Sequence, residues 1–280
     1  MGDSYRIFDR TLVRRRRTGR AGLHDLFLFD EGASGLAGRL ADINRNFRNV
    51  LAIGPGLSPG ILKNKPDRFI EAGVAEGEQG GILLDEEALP FGEDTFDLVL
   101  SNLTLHWVND LPGTLVQIRR ILKPDGLFLG VMFGGDSLVE LRESLMAAEA
   151  EVEGGASPRV APFVDVRDAG NLLARAGFAL PVADVDTVRA SYADALSLMK
   201  DLKAMGENNV MVERRKGLSR RETLMSAANY YRDRFSDEEG RIPATFQLLF
   251  LTGWAPAPDQ PKPLKPGSGK ISLKDALKKP

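Results

Sequence analysis

The sequence predicts an α/β protein with a doubly wound, mostly parallel sheet, and two observations support this prediction. Five short segments read as strands, at residues 50–54, 68–72, 82–84, 96–102 and 126–133, and the intervening segments favour helices. The segment FDLVLSN at 96–102 is almost continuously apolar, which is typical of a strand covered on both faces. Strands that alternate with helices in this way favour a parallel sheet with helices on both sides.

The helix between the fourth and fifth strands has recognisable boundaries. Asp110 is a suitable N-cap, and Pro112 falls in the first turn, where its missing N–H would be unpaired in any case. The apolar face of this helix is predicted to comprise Leu111, Leu115, Ile118 and Leu122. The sequence KPDG at 123–126 then predicts a turn before the fifth strand.

The second half of the chain is predicted to be more helical. Its three apolar stripes are Leu138, Leu141, Leu145, Ala148 and Val152; Ala195, Leu198, Leu202 and Met205; and Leu224, Ala228, Tyr231 and Phe235. Gly206 reads as the C-cap of the second stripe, and Ser219 with Glu222 reads as a capping box before the third. The segment ATFQLLFLTGW at 244–254 reads as a late strand.

These assignments divide the chain into three segments. We expect a basic helical arm at 1–48, a main domain at 49–255 and a flexible tail at 256–280, whose composition favours disorder. Within the main domain, residues 190–240 are expected to form a helical insertion. This insertion is predicted to act as a lid over the cleft formed by residues 54–58, 102–107 and 133–136.

The composition excludes several classes of function. The net charge of −2 gives no reason to expect a nucleic-acid partner, and the absence of cysteine excludes thiol catalysis and disulfides. No run of 18 apolar residues is present, and the N-terminus lacks an apolar signal segment, so we expect a cytoplasmic protein. The two histidines, His24 and His106, lie in distant segments, and we therefore expect no metal site.

A run of basic residues stands out near the N-terminus, where seven arginines fall within residues 6–20. Arg14, Arg15, Arg16 and Arg17 are consecutive, so on a helix they would wrap around the axis rather than line one face. Two interpretations stay open: a solvated basic face, or a surface attracted to an acidic partner or to an anionic membrane.

The segment VLAIGPGLSPG at 50–60 predicts a strand that runs into a glycine loop at Gly54 and Gly56. Such loops let the backbone approach a cofactor closely at the first turn of a nucleotide-binding α/β domain. Glycines also simply turn a chain, so this alternative stays open. Pro55 removes one backbone donor within the loop.

Longer stretches resemble a known superfamily. LPFGEDTFDLVLSN and LKPDGLFLGV resemble the class I S-adenosylmethionine-dependent methyltransferases. SNLTLHWVNDL is similar to two of their branches: the malonyl-acyl-carrier-protein methyltransferases of biotin synthesis, and the complex I assembly factors described as arginine hydroxylases of methyltransferase fold. FDRTLVRRRR, FGGDSLVELRESL, DLKAMGENN and PATFQLLFLTGW resemble the second branch, and the resemblance extends over roughly residues 6–255.

The resemblance implies an S-adenosylmethionine site with an incomplete ribose end. Gly54 and Gly56 match the first two loop glycines, whereas Ala52 and Gly73 stand where acids are usual. Glu71 precedes Gly73 by two residues and shares its face of the strand, so it is the candidate substitute.

The adenine end matches better. Asp85 and Glu86 stand where the family acid contacts the adenine amino group, and Asn102 could reach the amino-acid moiety or instead cap a turn. Without the ribose acids, we expect the cofactor to bind weakly.

Four residues beyond the strand ends are candidates for the substrate pocket: His106, Trp107, Phe133 and Asp136. The alternative for His106 and Trp107 is a packed aromatic pair under a loop. The resemblance implies a protein substrate in respiratory complex I assembly. Two other functions stay open: an active methyltransferase on a carrier-protein-bound or small carboxylate, and a non-catalytic binding module.

Overall fold

The structure, a computed structural model, describes residues 6–18, 27–74, 81–261, 267–268 and 272. Seven strands form one sheet in the order β3-β2-β1-β4-β5-β7-β6. The strands are β1 Asn49–Ile53, β2 Arg68–Gly73, β3 Ile82–Leu83, β4 Phe96–Asn102, β5 Leu122–Phe133, β6 Ala179–Tyr192 and β7 Ile242–Trp254. Strands β1 to β5 pair in parallel, and β7 is antiparallel to both of its neighbours. The predicted fold class is therefore confirmed.

Seven α-helices accompany the sheet in the described parts of the chain. They are α1 Arg10–Thr18, α2 Phe27–Ala41, α3 Leu111–Ile121, α4 Val139–Glu153, α5 Val166–Arg175, α6 Ala195–Ala204 and α7 Arg221–Phe235. Apolar side chains of α2, α4, α6 and α7 form a core with one face of the sheet. Those of α3 and α5 form a second core with the other face. The sheet is thus covered on both sides, which explains the continuous apolar sequence of β4.

Two predicted helix boundaries are confirmed. The Asp110 carboxylate accepts a hydrogen bond from the backbone N–H of Gly113 at 2.8 Å and so caps α3. Gly206 follows α6 with φ of +74°, the left-handed conformation that glycine adopts without strain.

The predicted start of α7 is wrong. The helix begins at Arg221 without a side-chain cap, and the hydroxyl of Ser219 accepts a hydrogen bond from Arg159 at 2.7 Å. The predicted stripe is also rotated, because α7 buries Thr223, Ala227 and Tyr231. A polar contact accompanies this rotation, since the Thr223 hydroxyl donates to the carboxylate of Glu153 in α4 at 2.7 Å.

Strand β6, which precedes the helices of the insertion, was not among the predicted strands. It pairs only with β7, and much of it is exposed. The KPDG segment likewise lies within β5, where the pairing with β4 shifts register and Asp125 adopts a positive φ of 60°. The predicted turn is therefore an irregularity inside a strand rather than a connection.

The insertion between β6 and β7 lies at the carboxyl edge of the parallel strands. Because β6 and β5 are both antiparallel to β7, the segment between β6 and β7 leaves and re-enters the sheet at that edge. This is the edge that carries Gly54 and Gly56, and the role of the insertion as a lid stays a prediction. Among the described residues, no helix is long and apolar enough to cross a membrane.

Candidate cofactor and substrate site

The two loop glycines follow β1 and adopt positive φ angles, 96° at Gly54 and 76° at Gly56. A Cβ atom on Gly54 would lie 2.4 Å from the carbonyl oxygen of Asn102, and one on Gly56 would lie 3.3 Å from that of Phe29. Close approach of the end of β4 therefore already requires glycine at Gly54, and the conformation favours glycine at both positions. Their contact with a cofactor stays a prediction.

Asn102 holds this loop in place. Its fully buried side-chain amide donates hydrogen bonds to the carbonyl of Phe29 at 2.9 Å and to that of Pro55 at 2.7 Å. The side-chain oxygen is buried and has no hydrogen-bond partner among the described residues. Asn102 thus fixes the loop against α2 and keeps one unused acceptor.

The acids that follow β3 are bound by the N-terminal arm. Arg10 donates to Asp85 at 2.9 Å, contacts Glu86 and donates to the carbonyl of Trp107 at 3.1 Å. Arg14 also donates to Asp85, at 2.9 Å. Burial acts to raise the pKa of Asp85, but Arg10, a backbone N–H and Arg14 outweigh it and lower this pKa below its usual value. The arm therefore neutralises the two residues predicted at the adenine end.

The residues fit the adenine end of S-adenosylmethionine better than its ribose end. Glu86 is 1% exposed, and its Oε1 atom has no hydrogen-bond partner in the described chain, so it could accept from an amino group. At the end of β2, Gly73 offers no side chain, and Glu71 lies two residues inside the strand, paired with Ala52. Burial raises the pKa of Glu71 above its usual value, which disfavours the charged form.

A further carboxylate, that of Glu207, was not predicted from the sequence and organises the predicted substrate pocket. Glu207 follows α6 and accepts hydrogen bonds from His106 at 2.9 Å and from the Trp107 indole at 2.7 Å. All three side chains are buried. Burial lowers the pKa of His106 despite the opposing effect of Glu207, so the neutral ring donates from Nε2.

The same carboxylate binds an arginine of the arm. Arg17 is 3% exposed and donates to the carbonyl of Leu103 at 2.7 Å and to Glu207 at 3.2 Å. The sequence signal for Glu207 lies in the segment DLKAMGENN, where this acid directly follows Gly206, the glycine that ends α6. An acid in that position at the edge of a sheet is placed for a polar role. Only the fold brings it to the end of β4.

Three of the four predicted pocket residues come together. The Phe133 ring lies 4.6 Å from that of His106, which lies 4.9 Å from that of Trp107, so both the pocket and the packed-pair interpretations describe these contacts. Asp136 is exposed and accepts a hydrogen bond from Gln247 at 3.1 Å. His24 lies outside the described residues, and within them no group of three potential ligands is placed to hold a metal ion.

Two cavities flank the arm. One, of about 1470 Å³, is lined by residues that include Arg10, Asp85 and Arg142. The other, of about 610 Å³, is lined by residues that include Trp107 and Glu207. Residues of the arm and of the sheet edge thus line both cavities together.

Comparison with known proteins places these features in a family. A model described as a methyltransferase domain matches residues 37–130. The chain is 44% identical to the human arginine-hydroxylase NDUFAF5, mitochondrial, over 95% of this chain and 82% of that protein, and 41% identical to the zebrafish (Danio rerio) protein of the same name, over 97% and 90%. It is 33% identical to a malonyl-[acyl-carrier protein] O-methyltransferase of Halorhodospira halophila over 90% of each chain.

The solved structures agree on the fold. A candidate methyltransferase of Bacillus halodurans superposes with a TM-score of 0.50 at 14% identity, covering 80% of this chain and 99% of that one. At this level of identity the likeness concerns the arrangement of strands and helices.

Proposed function

Since this chain belongs to the NDUFAF5 arginine-hydroxylase family, within the class I S-adenosylmethionine-dependent methyltransferase superfamily, we propose that it acts on an arginine side chain of a protein substrate during respiratory complex I assembly. The identity to the human protein extends over nearly the whole chain, including the arm and the insertion that border the site. The family name supplies the type of residue, and the geometry supports it.

The observation that carries this proposal is the chemistry of the sheet edge. Asp85, Glu86 and Glu207 lie there, and each contacts a guanidinium group of the chain's own arm. Carboxylates bind guanidinium groups through charge-assisted hydrogen bonds of matching geometry. An edge with three such carboxylates suits an arginine substrate.

S-adenosylmethionine is proposed as a weakly bound cofactor, which would supply a methyl group. Glu86 and Asp85 would hold the adenine amino group once Arg10 moves, and Glu71 would serve the ribose. Gly54 and Gly56 would shape the loop beneath the amino-acid end. Asn102 would offer its side-chain oxygen there.

A second candidate is a methyltransferase that acts on a carboxylate bound to a carrier protein. The Halorhodospira relative supports it. Arg142 is the cation suited to a carboxylate on the larger cavity, and it donates to the carbonyl of Gly135 at 3.3 Å. A third candidate, a non-catalytic binding module, is supported by the arm, which ion-pairs the acids of the adenine end.

The partner is proposed to be acidic, either a protein or an anionic membrane surface that the chain contacts peripherally. Of the four consecutive arginines, Arg14 and Arg17 pair with acids of the chain itself. Arg15 is exposed and lines the smaller cavity with Arg16. Flotation with vesicles containing phosphatidylserine tests the membrane contact, and Arg15→Glu should reduce it.

The proposed activity is tested in human cells that lack NDUFAF5 and express this chain with a mitochondrial leader. We expect complex I to assemble and one arginine of a complex I subunit to be modified, as detected by mass spectrometry of the purified complex. The modification would be a methyl group donated by S-adenosylmethionine, or an oxygen atom taken from O₂ with two electrons from a cellular reductant. Cells expressing the Glu86→Gln variant should lose the function. The matched control is Glu222→Gln, at an exposed position of α7, which should keep it. Assembly without any arginine modification would favour the binding module, and methylation of malonyl carrier protein would favour the second candidate.

A further inference from the structure

Arg17 is the one arginine of α1 that is fully buried. Its guanidinium lies at the carboxyl end of β4, between the carbonyl of Leu103 and the carboxylate of Glu207. Glu207 is itself held by His106 and Trp107, so the carboxylate has a fixed position. The result is a binding site for one guanidinium group, and the chain fills it with its own side chain.

Two features of the buried cluster of Arg17, Glu207 and His106 are unexpected for contacts that serve stability alone. The Nε atom of Arg17 and the Nδ1 atom of His106 are buried and have no hydrogen-bond partner among the described residues. Buried polar atoms of a structural pair are normally satisfied, because an unpaired one costs free energy. A buried ion pair also adds little net stability compared with apolar residues, which α1 already supplies through Leu12 and Val13.

Part of this site borders a cavity. Glu207 and Trp107 line the cavity of about 610 Å³, whose walls also include Leu141 of α4 and Leu224 of α7. A peptide lying in this cavity could direct an arginine side chain toward Glu207. The occupant in the structure would then have to leave.

We propose that Glu207 and the Leu103 carbonyl form the pocket that binds the substrate arginine, and that Arg17 occupies this pocket as an internal stand-in until a substrate displaces it. This inference rests on the proposed function, since it names where that substrate binds. His106 and Trp107 are positioning residues, because they act through Glu207.

The test measures binding of the peptide fluorescein-Gly-Gly-Arg-Gly-Gly-amide by fluorescence anisotropy, with the lysine peptide as the competitor that lacks the planar fork. Arg17→Met vacates the pocket and keeps an apolar stem. It should bind the arginine peptide at least about tenfold more tightly than the unmodified chain, because an occupied site lowers the apparent affinity. The lysine peptide should bind more weakly than the arginine peptide, since it cannot donate two parallel hydrogen bonds.

Two further variants make the result specific. Arg48→Met removes an exposed arginine that lines neither cavity and should leave binding unchanged. Glu207→Gln in the Arg17→Met background should abolish the gain. If Arg17→Met does not fold, Arg17→Lys replaces it, and the arginine peptide should still displace the shorter ammonium.

The inference is overturned if the vacated pocket ignores the arginine peptide, or if the double variant binds as well as Arg17→Met. These binding outcomes need neither cofactor nor turnover, so they are separate from the cellular test. Tight peptide binding without arginine modification in cells would keep the pocket and reject the proposed activity. Modification that persists in a Glu207→Gln protein would reject the pocket alone.

Discussion

The contact between Arg10 and Glu86 provides the sharpest test of how the arm is held. Substituting Arg10 by methionine leaves Glu86, which is 1% exposed, as a buried carboxylate without its cation. Breaking a buried pair from one side costs about 3–5 kcal/mol. Asp85 is more exposed and keeps Arg14, so the lower value of about 3 kcal/mol applies.

This free energy should appear as local opening of α1 rather than as unfolding of the whole domain, because α1 can separate while the sheet stays intact. Hydrogen–deuterium exchange of the amides of Arg10–Thr18 reports that opening. A cost of about 3 kcal/mol corresponds to a roughly 100-fold loss of protection. Arg15→Met, with the same change of charge at an exposed position, should leave protection unchanged.

A double substitution decides whether the pair itself is responsible. Arg10→Met with Glu86→Met removes both charges, so most of the lost protection should return. The reasoning is refuted if Arg10→Met changes protection less than threefold, on the order of 0.6 kcal/mol. It is equally refuted if the double variant loses as much as the two single variants together.

Three further predictions concern the loop, the cofactor and pH. Gly54→Ala should destabilise the domain by about 1–3 kcal/mol in urea unfolding, because the φ angle of Gly54 is 96° and the new Cβ would meet the Asn102 carbonyl. The control is Gly38→Ala, at an exposed position in α2, which should stabilise the domain by about 0.5–1 kcal/mol. By calorimetry, S-adenosylmethionine should bind more weakly than about 100 μM, or roughly −5.5 kcal/mol, and Glu71→Ala should weaken it further; micromolar binding would contradict both. Since the folded-state pKa of Asp85 is lowered, its pairing with the arm contributes stability above the usual carboxyl pKa of about 3.9 and loses it as pH falls through the lower folded value. Protection of α1, taken relative to the intrinsic exchange rate at each pH, should therefore fall in acid, and Asp85→Asn should flatten that dependence.

The sequence predicted the structure correctly wherever no tertiary contact opposed the local sequence pattern. The continuous apolar run of β4 and the cap at Asp110 each follow from nearest neighbours in the chain, and the structure has both. At residues 219–222 tertiary contacts replaced the local rule, since the Ser219 hydroxyl is bonded to Arg159 rather than capping α7. Strand β6 escaped notice because a strand with one neighbour is partly exposed and carries polar residues in its pattern.

The candidate site divides in the same way. Asp85 and Glu86 follow β3 and Asn102 ends β4, so position along the chain was enough to place them at the carboxyl edge. Glu207 comes from an insertion more than 100 residues after β4, and Arg17 from a helix that precedes the sheet. No periodicity connects those segments, because their contact depends on how the insertion re-enters the sheet between β6 and β7.

The two ends of the sheet also differ in how they resist pairing with another molecule. At one end β3 has only two residues, too few to template a further strand. At the other end β6 has 14 residues, and as an edge strand it presents a long row of backbone N–H and C=O groups with no strand beside them among the described residues. Asp184 and Asp186 on this strand are paired with Arg39 of α2, whose guanidinium also lies 3.5 Å from the centre of the Phe250 ring. Replacing both aspartates by threonine would remove these charged residues from the edge strand β6. Self-association, measured by light scattering, should then increase.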